Sequence, residues 1–114
     1  MKPNLKRVYA EPAPSDGTRI LVDRLWPRGL TKEKAHVDLW LKDVAPSTEL
    51  RKWFAHDPDR WTEFKSRYRA ELRQNGEPLA ALKQAVAKGP STLLYGAKDE
   101  EHNEAVVLLD LVER

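Results

Sequence analysis

The chain has 114 residues, no cysteine and a net charge of only +2, from 20 basic and 18 acidic side chains. This length favours one domain. The lack of cysteine excludes disulfides and thiol chemistry, and the near balance of charge gives no compositional support to a nucleic-acid protein. The N-terminus carries no apolar leader and no run approaches the ~18 apolar residues of a membrane span, so we expect a cytoplasmic protein without a membrane partner.

The first third of the chain predicts three strands. Residues 5–9 form a short strand that ends in a loop rich in proline, aspartate and glycine. Residues 19–25 contain three consecutive apolar residues, which is typical of a strand buried on both faces, and Pro27 and Gly29 end it. Residues 37–42 alternate apolar and polar side chains, which predicts a half-exposed strand.

Capping residues and apolar spacing predict two helices in the middle of the chain. Thr31 is placed to cap a single helical turn, and Ser47 is placed to cap a helix with an apolar face. A longer helix follows Asp57-Pro58 and ends at Asn75-Gly76. Its apolar stripe comprises Trp61, Phe64, Tyr68 and Leu72, and its opposite face carries the alternating charges of Glu63, Arg67 and Glu71, which is typical of a solvated face.

The last part of the chain predicts a helix, a strand and a final helix. One helix runs from Glu77-Pro78 to Gly89-Pro90, and residues 91–97 form a strand that we expect to lie parallel to residues 19–25. The final helix spans about residues 100–112 and is apolar around most of its axis, so it must be largely buried against the sheet. The sequence therefore predicts one compact α/β domain over residues 1–114, with about four short strands in a mixed or partly parallel sheet and about four helices.

Polar side chains follow two of the apolar strands. Since the carboxyl ends of adjacent parallel strands meet at one edge of a sheet, where open α/β sheets place ligands, we expect these side chains to form a pocket. The candidate ligand-binding residues are Asp23, Arg24, Trp26, Arg28, Lys98, Asp99, His102 and Asn103. Asp23 shares a predicted strand face with Leu21 and Leu25, and an acid between leucines is either paired or functional because an unpaired buried carboxylate is costly. If the protein is an enzyme, Asp23 and His102 are its candidate catalytic acid or base.

Structural roles for the same residues remain open. Asp23 is also suited to an ion pair with a nearby arginine, Trp26 to a lid over the core, and Asp99 to the N-cap of the final helix. His102 is also suited to a capping or surface position. No phosphate-binding loop, nucleophile elbow or metal motif is present, and the three histidines are far apart, so we expect no cofactor and no metal.

Several segments together closely resemble the YeaO-like branch of a bacterial domain-of-unknown-function family. They are residues 22–29 (VDRLWPRG), 45–47 (APS), 50–54 (LRKWF), 56–58 (HDP), 93–99 (LLYGAKD) and His102-Asn103. The resemblance covers almost the whole chain and implies a small cytoplasmic α/β domain without an established reaction. More distant members resemble this chain less, with Cys-His-Arg where it has Glu101-His102-Asn103, so a thiol or arginine role in those proteins does not carry over.

Three functional hypotheses follow from the sequence. The leading one is a small polar or anionic ligand, held by arginines that recognise a carboxylate or phosphate and stacked on Trp26. The second is a nucleic-acid-associated module with a basic and aromatic surface made of Arg19, Arg24, Arg28, Lys32, Lys34 and Trp40. The third is a partner-binding domain in which tryptophans form the interface. The oligomeric state is left open, and core packing is expected for Trp53 and Trp61.

Overall fold

A four-stranded parallel sheet carries the fold. In a computed structural model that describes residues 2–113, the strands are β1 (Asn4–Arg7), β2 (Thr18–Leu21), β3 (Leu39–Trp40) and β4 (Ser91–Tyr95). They lie in the order β1-β4-β2-β3, and each neighbouring pair is parallel. The predicted α/β class is confirmed, and β4 lies beside β2 as expected. The carboxyl ends of all four strands therefore face the same edge of the sheet.

Five α-helices within residues 2–113 pack around the sheet, and three short 3-10 turns lie in the connections between elements. The helices are α1 (Lys32–Ala35), α2 (Thr48–Phe54), α3 (Trp61–Gln74), α4 (Glu77–Ala87) and α5 (Glu104–Val112). The predicted caps of the first two are confirmed, because Thr31 accepts the Lys34 N–H and Ser47 accepts the Leu50 N–H through their hydroxyl groups. No helix within residues 2–113 is long and apolar enough to cross a membrane.

The sheet is covered on both faces, as its apolar strands require. Ile20 and Val22 point into the larger core, which α2 to α5 complete, whereas Leu21 points into a smaller core with Val8, Ala35 and Leu94. The predicted stripe of α3 is buried at Phe64, Tyr68 and Leu72. Trp53 and Trp61 pack against the larger core, which confirms their predicted packing role.

The three predicted N-terminal strands are all longer than the observed ones. The strand predicted at residues 5–9 is β1, which spans residues 4–7. The strand predicted at residues 19–25 is β2, which spans residues 18–21, and the strand predicted at residues 37–42 is β3, which has only two residues. Beyond β2 the ladder ends with the Val22 N–H bond to the Leu94 carbonyl, after which the Asp23 side chain accepts the Gly96 N–H. The prediction that Asp23 alternates with two buried leucines is therefore wrong: Leu25 is 64% exposed.

The final helix begins later than predicted. α5 starts at Glu104 and is capped by Asn103, whose Oδ1 accepts the Val106 N–H at 3.2 Å. The predicted N-cap role of Asp99 is therefore wrong. Asp99 closes the preceding turn instead, because its Oδ1 accepts the N–H groups of Glu101 and His102.

The alternating charges of Glu63, Arg67 and Glu71 on α3 allow two ion pairs, Glu63 with Arg67 and Arg67 with Glu71, and one of the two is present. Glu63 and Arg67 form an ion pair with both side chains about half exposed, which fits a solvated face. Glu71 does not complete the second pair with Arg67. Its carboxylate accepts from the Ser47 amide at 2.9 Å and the Ser47 hydroxyl at 2.6 Å, and so ties α3 to the start of α2.

Candidate functional site

A cleft of about 380 Å³ lies at the carboxyl edge of the sheet. Its wall is built mainly from the loop after β2, the segment before α2, the second half of α2, the loop after β4 and the first residue of α5. Six of the eight predicted ligand-binding residues line it: Asp23, Arg24, Trp26, Arg28, His102 and Asn103. Lys98 and Asp99 do not line it. The structure thus brings the two predicted polar segments together, whereas ligand binding by them stays a prediction.

Asp23 is fixed at the cleft by the loop after β4. Its Oδ2 accepts the Gly96 N–H at 2.8 Å, and an added Cβ at Gly96 would lie 3.0 Å from that oxygen, so glycine allows the close approach. Arg7 holds the same loop by donating to the carbonyls of Gly96 and Ala97. Asp23 is therefore bonded to a backbone amide and not, as one alternative predicted, to an arginine.

Glu104 completes the acidic part of the cleft. The Asp23 Oδ1 is buried and has no hydrogen-bond partner among residues 2–113. The Glu104 carboxyl group faces Asp23 and can form a hydrogen bond with it when Glu104 holds a proton. Burial, this hydrogen bond and repulsion by Asp23 raise the pKa of Glu104 well above its usual range, although Arg51 opposes the shift. Glu104 therefore keeps its proton to a higher pH than an ordinary glutamate does.

Four cationic side chains also line the cleft: Arg24, Arg28, Arg51 and Lys52. Arg24 donates to the carbonyls of Ala45 and Pro46 at 3.3 and 3.4 Å, so the backbone before α2 fixes its guanidinium. Arg51 and Lys52 come from α2 itself, whereas the exposed Arg28 comes from the loop after β2. Within residues 2–113 these four cations outnumber the two acids of the cleft, Asp23 and Glu104, and the raised pKa of Glu104 widens the pH range over which that side chain is neutral.

Two aromatic side chains of the cleft are held by their polar atoms. Trp26 donates its indole N–H to the Leu30 carbonyl at 2.7 Å, and Tyr9 donates its hydroxyl to the Arg28 carbonyl at 2.9 Å. Trp40 contacts Trp26 edge to face at a centroid distance of 5.5 Å, and its own indole N–H is bonded to the Asp23 carbonyl at 2.7 Å. Trp26 also packs against the smaller core, which agrees with its predicted role as a lid.

His102 and Asn103 have structural partners at the edge of the cleft. The His102 Nδ1 lies 2.9 Å from the Asp99 Oδ2, and its ring contacts Trp61 edge to face. The N–H of Glu101 and the side chain of His102 lower the pKa of Asp99, which keeps this carboxylate ionised as an acceptor. Asn103 is buried and caps α5, while its amide donates to the Asp99 carbonyl.

The basic and aromatic surface of the second hypothesis is not assembled as the sequence implied. Arg19 is only 4% exposed, because it pairs with Asp16 and donates to the carbonyls of Ala35 and His36. Its inclusion in an exposed surface is therefore wrong. Lys32 and Lys34 are exposed on α1, whereas Arg24 and Arg28 line the cleft.

Comparison with known proteins places the chain in a family. Residues 2–114 match a family model, DUF488-N3i, described as the inactive DUF488-N3 subclade. The chain belongs to this DUF488-N3i family. It is 48% identical over 105 residues to the uncharacterised protein YeaO of Escherichia coli, a match that covers 92% of this chain and 91% of YeaO. It is 42% identical over 106 residues to uncharacterised proteins of Mycobacterium tuberculosis and Mycobacterium bovis, which covers 93% of this chain and 89% of theirs. No solved structure matches.

The predicted YeaO-like membership is thus confirmed, but the sequence reasoning missed several residues of the cleft, among them four with charged or imidazole side chains. These four are Arg51, Lys52, His56 and Glu104. In the sequence, Arg51 and Lys52 match the ordinary polar face of a helix, and nothing in their spacing links them to residues 23–28. Glu104 did carry a signal, because it directly precedes the apolar run of a helix that had to be buried.

No group of three or more His, Asp or Glu side chains in residues 2–113 is arranged to hold a metal ion.

Proposed function

We propose that this domain binds a small organic anion in the cleft and performs no chemistry on it. The observation that carries the proposal is the imbalance of charge at the site, where four cationic side chains and two acidic ones from residues 2–113 line the cleft. A concave site of one sign of charge attracts ligands of the other sign. The cleft volume of about 380 Å³ also lies within the usual range for small-molecule sites.

The cations are suited to a carboxylate, phosphate or sulfonate group. Arginine offers several N–H donors in one plane and can bind two oxygens of such a group at once. Arg24 uses its Nε and Nη2 on backbone carbonyls, so the guanidinium is held in place before a ligand arrives. Arg51 and Lys52 are adjacent in sequence on α2 and add charge at the same side of the cleft as the Arg24 acceptors.

Two observations support binding without catalysis. The family to which the chain belongs is described as an inactive subclade. In addition, the two candidate acid or base groups already have partners, since Asp23 is bonded to Gly96 and Glu104, and His102 is bonded to Asp99. In this proposal Asp23 and Glu104 shape and tune the binding site, and His102 supports the turn before α5.

The test is calorimetric titration with phenyl phosphate at low ionic strength. Arg51→Gln removes a charge from the cleft, and Arg73→Gln, at an exposed position of α3, is the matched control. Loss of one charged hydrogen bond predicts a roughly tenfold weaker affinity in Arg51→Gln. The control variant is expected to bind like the wild type. Absence of binding to the wild type, or equal weakening in both variants, would contradict the proposal.

A further inference from the structure

We infer that the anion bound in the cleft carries a flat aromatic ring that lies against Leu25 and Trp26. This inference rests on the proposed function and adds the class of ligand to it. Three features of the cleft support it: exposed apolar side chains, aromatic rings in fixed positions, and cationic side chains beside the apolar ones.

Exposed apolar side chains gather at this cleft. Within residues 2–113 the large apolar side chains that are exposed are Tyr9, Leu25, Leu39 and Trp40, at 41, 64, 36 and 37%. Tyr9 and Leu25 line the cleft, and Trp40 contacts the ring of Trp26. A protein surface normally scatters such residues singly, so their concentration beside a concave site indicates a surface that a partner molecule covers.

The aromatic rings beside Leu25 are held rigidly. The Trp26 ring is fixed by its bond to Leu30 and by the edge of Trp40, which is itself bonded to the Asp23 carbonyl. Lys42 lies over the Trp40 ring, 5.3 Å from its centre. A rigid ring loses little conformational freedom when a ligand stacks on it, so such a wall favours a flat and equally rigid ligand.

The cleft has an apolar part and a cationic part that lie next to each other. Leu25, Trp26 and Pro27 are consecutive in the loop after β2, with Arg24 and Arg28 on either side of them in sequence, and Arg51 and Lys52 add charge from α2. Arg24 is drawn toward the α2 segment by its bonds to the carbonyls that precede that helix. A ligand that satisfies both parts must therefore join an apolar body to an anionic end, and a phenyl ring bearing one phosphate or sulfonate group is the simplest such molecule.

The experiment compares phenyl phosphate with inorganic phosphate on the same protein by calorimetry, at one pH and ionic strength. We expect phenyl phosphate to bind at least about tenfold more tightly, because its ring adds apolar surface removed from water. Leu25→Ser is expected to weaken phenyl phosphate binding about threefold or more and to leave inorganic phosphate binding unchanged. Leu39→Ser, at an exposed leucine outside the cleft, is the matched control and is expected to change neither.

The outcomes separate this inference from the proposed function. Equal affinity for the two phosphates, or a Leu25→Ser variant that binds phenyl phosphate as the wild type does, overturns the aromatic ligand and leaves the anion site standing. If neither phosphate binds, both the anion site and the aromatic ligand are overturned. A shift of the Trp26 indole N–H resonance on titration with phenyl phosphate, larger than that of Trp53, is expected as a second readout, and a larger shift at Trp53 would overturn the inference.

Discussion

One aspartate precedes strand β2 and another follows it, and the two have opposite surroundings: Asp16 is buried and Asp23 is half-buried. Asp16, before the strand, binds Lys6 at 2.8 Å, pairs with Arg19 and accepts the Ala13 N–H at 3.0 Å. Asp23, after the strand, accepts one backbone N–H and otherwise faces a second acid, Glu104. The first carboxylate is surrounded by cations that bind it, whereas the second lies in a cleft whose cations do not pair with it.

This difference separates a structural charge cluster from a candidate binding site. Burial raises the pKa of Asp16, but its bonds to Lys6, Ala13 and Arg19 outweigh burial and place the pKa below the usual range. At the other end, burial and the neighbouring Asp23 raise the pKa of Glu104 well above its usual range. A fully bonded carboxylate holds the fold together, while cations left unpaired around an acid pair can bind a ligand.

The largest expected effect comes from breaking the structural cluster. Asp16→Asn removes the charge that neutralises Arg19, whose guanidinium is almost fully buried. Leaving one partner of a buried ion pair uncompensated predicts a loss of about 3 kcal/mol or more in the free energy of unfolding. Urea denaturation followed by circular dichroism measures it.

An exposed ion pair supplies the control for that measurement. Glu63→Gln breaks a pair with Arg67 in which both side chains are about half exposed, and a change below about 1 kcal/mol is expected. If Asp16→Asn changes stability no more than Glu63→Gln does, the structural role assigned to the amino end of β2 is wrong.

The acid pair at the carboxyl end of β2 predicts that the free energy of unfolding falls as the pH rises. Because the folded pKa of Glu104 lies above its unfolded value of about 4.3, the folded state holds the extra proton between these two pKa values. Stability therefore falls as the pH rises through this window, by up to about 1.4 kcal/mol per pH unit. Glu104→Gln mimics the protonated acid and is expected to flatten the decline.

Thermal denaturation from pH 4 to 9 measures this decline in the wild type and in Glu104→Gln. Glu113→Gln, at an exposed acid outside the cleft, is the matched control and is expected to keep the wild-type profile. Identical profiles for wild type and Glu104→Gln would show that the proton is not held at Glu104.

A smaller effect is expected from the cap of α5. Asn103→Ala removes the acceptor for the Val106 N–H and a buried donor to the Asp99 carbonyl, so a loss of about 1 to 2 kcal/mol is expected. Thr31→Ala removes only the exposed cap of the four-residue α1 and is expected to cost less than about 1 kcal/mol. Equal losses in urea denaturation would argue that the turn before α5 is not held by Asn103.

The sequence predicted the parallel pairing of β2 and β4 and the meeting of the segments that follow them. It did so because three apolar residues in a row and a long helical crossover leave few other arrangements. It placed Lys98 and Asp99 in the cleft because they directly follow a predicted strand, and it also started the last helix too early. A side-chain cap at Asn103 and one at Asp99 satisfy the same local pattern, and only tertiary packing decides between them.

The cationic side of the cleft could not be predicted. Arg51 and Lys52 lie on α2, 28 and 29 residues after Asp23 and 53 and 52 residues before Glu104, and a polar helix face gives no sign of the surface that it meets. The Asp23–Glu104 pair was closer to prediction, since the reasoning that singled out Asp23 as an acid among apolar residues applies equally to Glu104.

The most direct test of the account is to map where an organic anion binds by following backbone amide resonances while benzenesulfonate is added. Its sulfonate stays ionised across the pH range, so any pH dependence belongs to the protein. The account predicts shifts at residues 23–28, 51–52, 96–97 and 104, none at residues 13–19, and weaker binding as the pH rises through the pKa of Glu104. Shifts confined to the Asp16 end of β2, or no shifts at all, would contradict it.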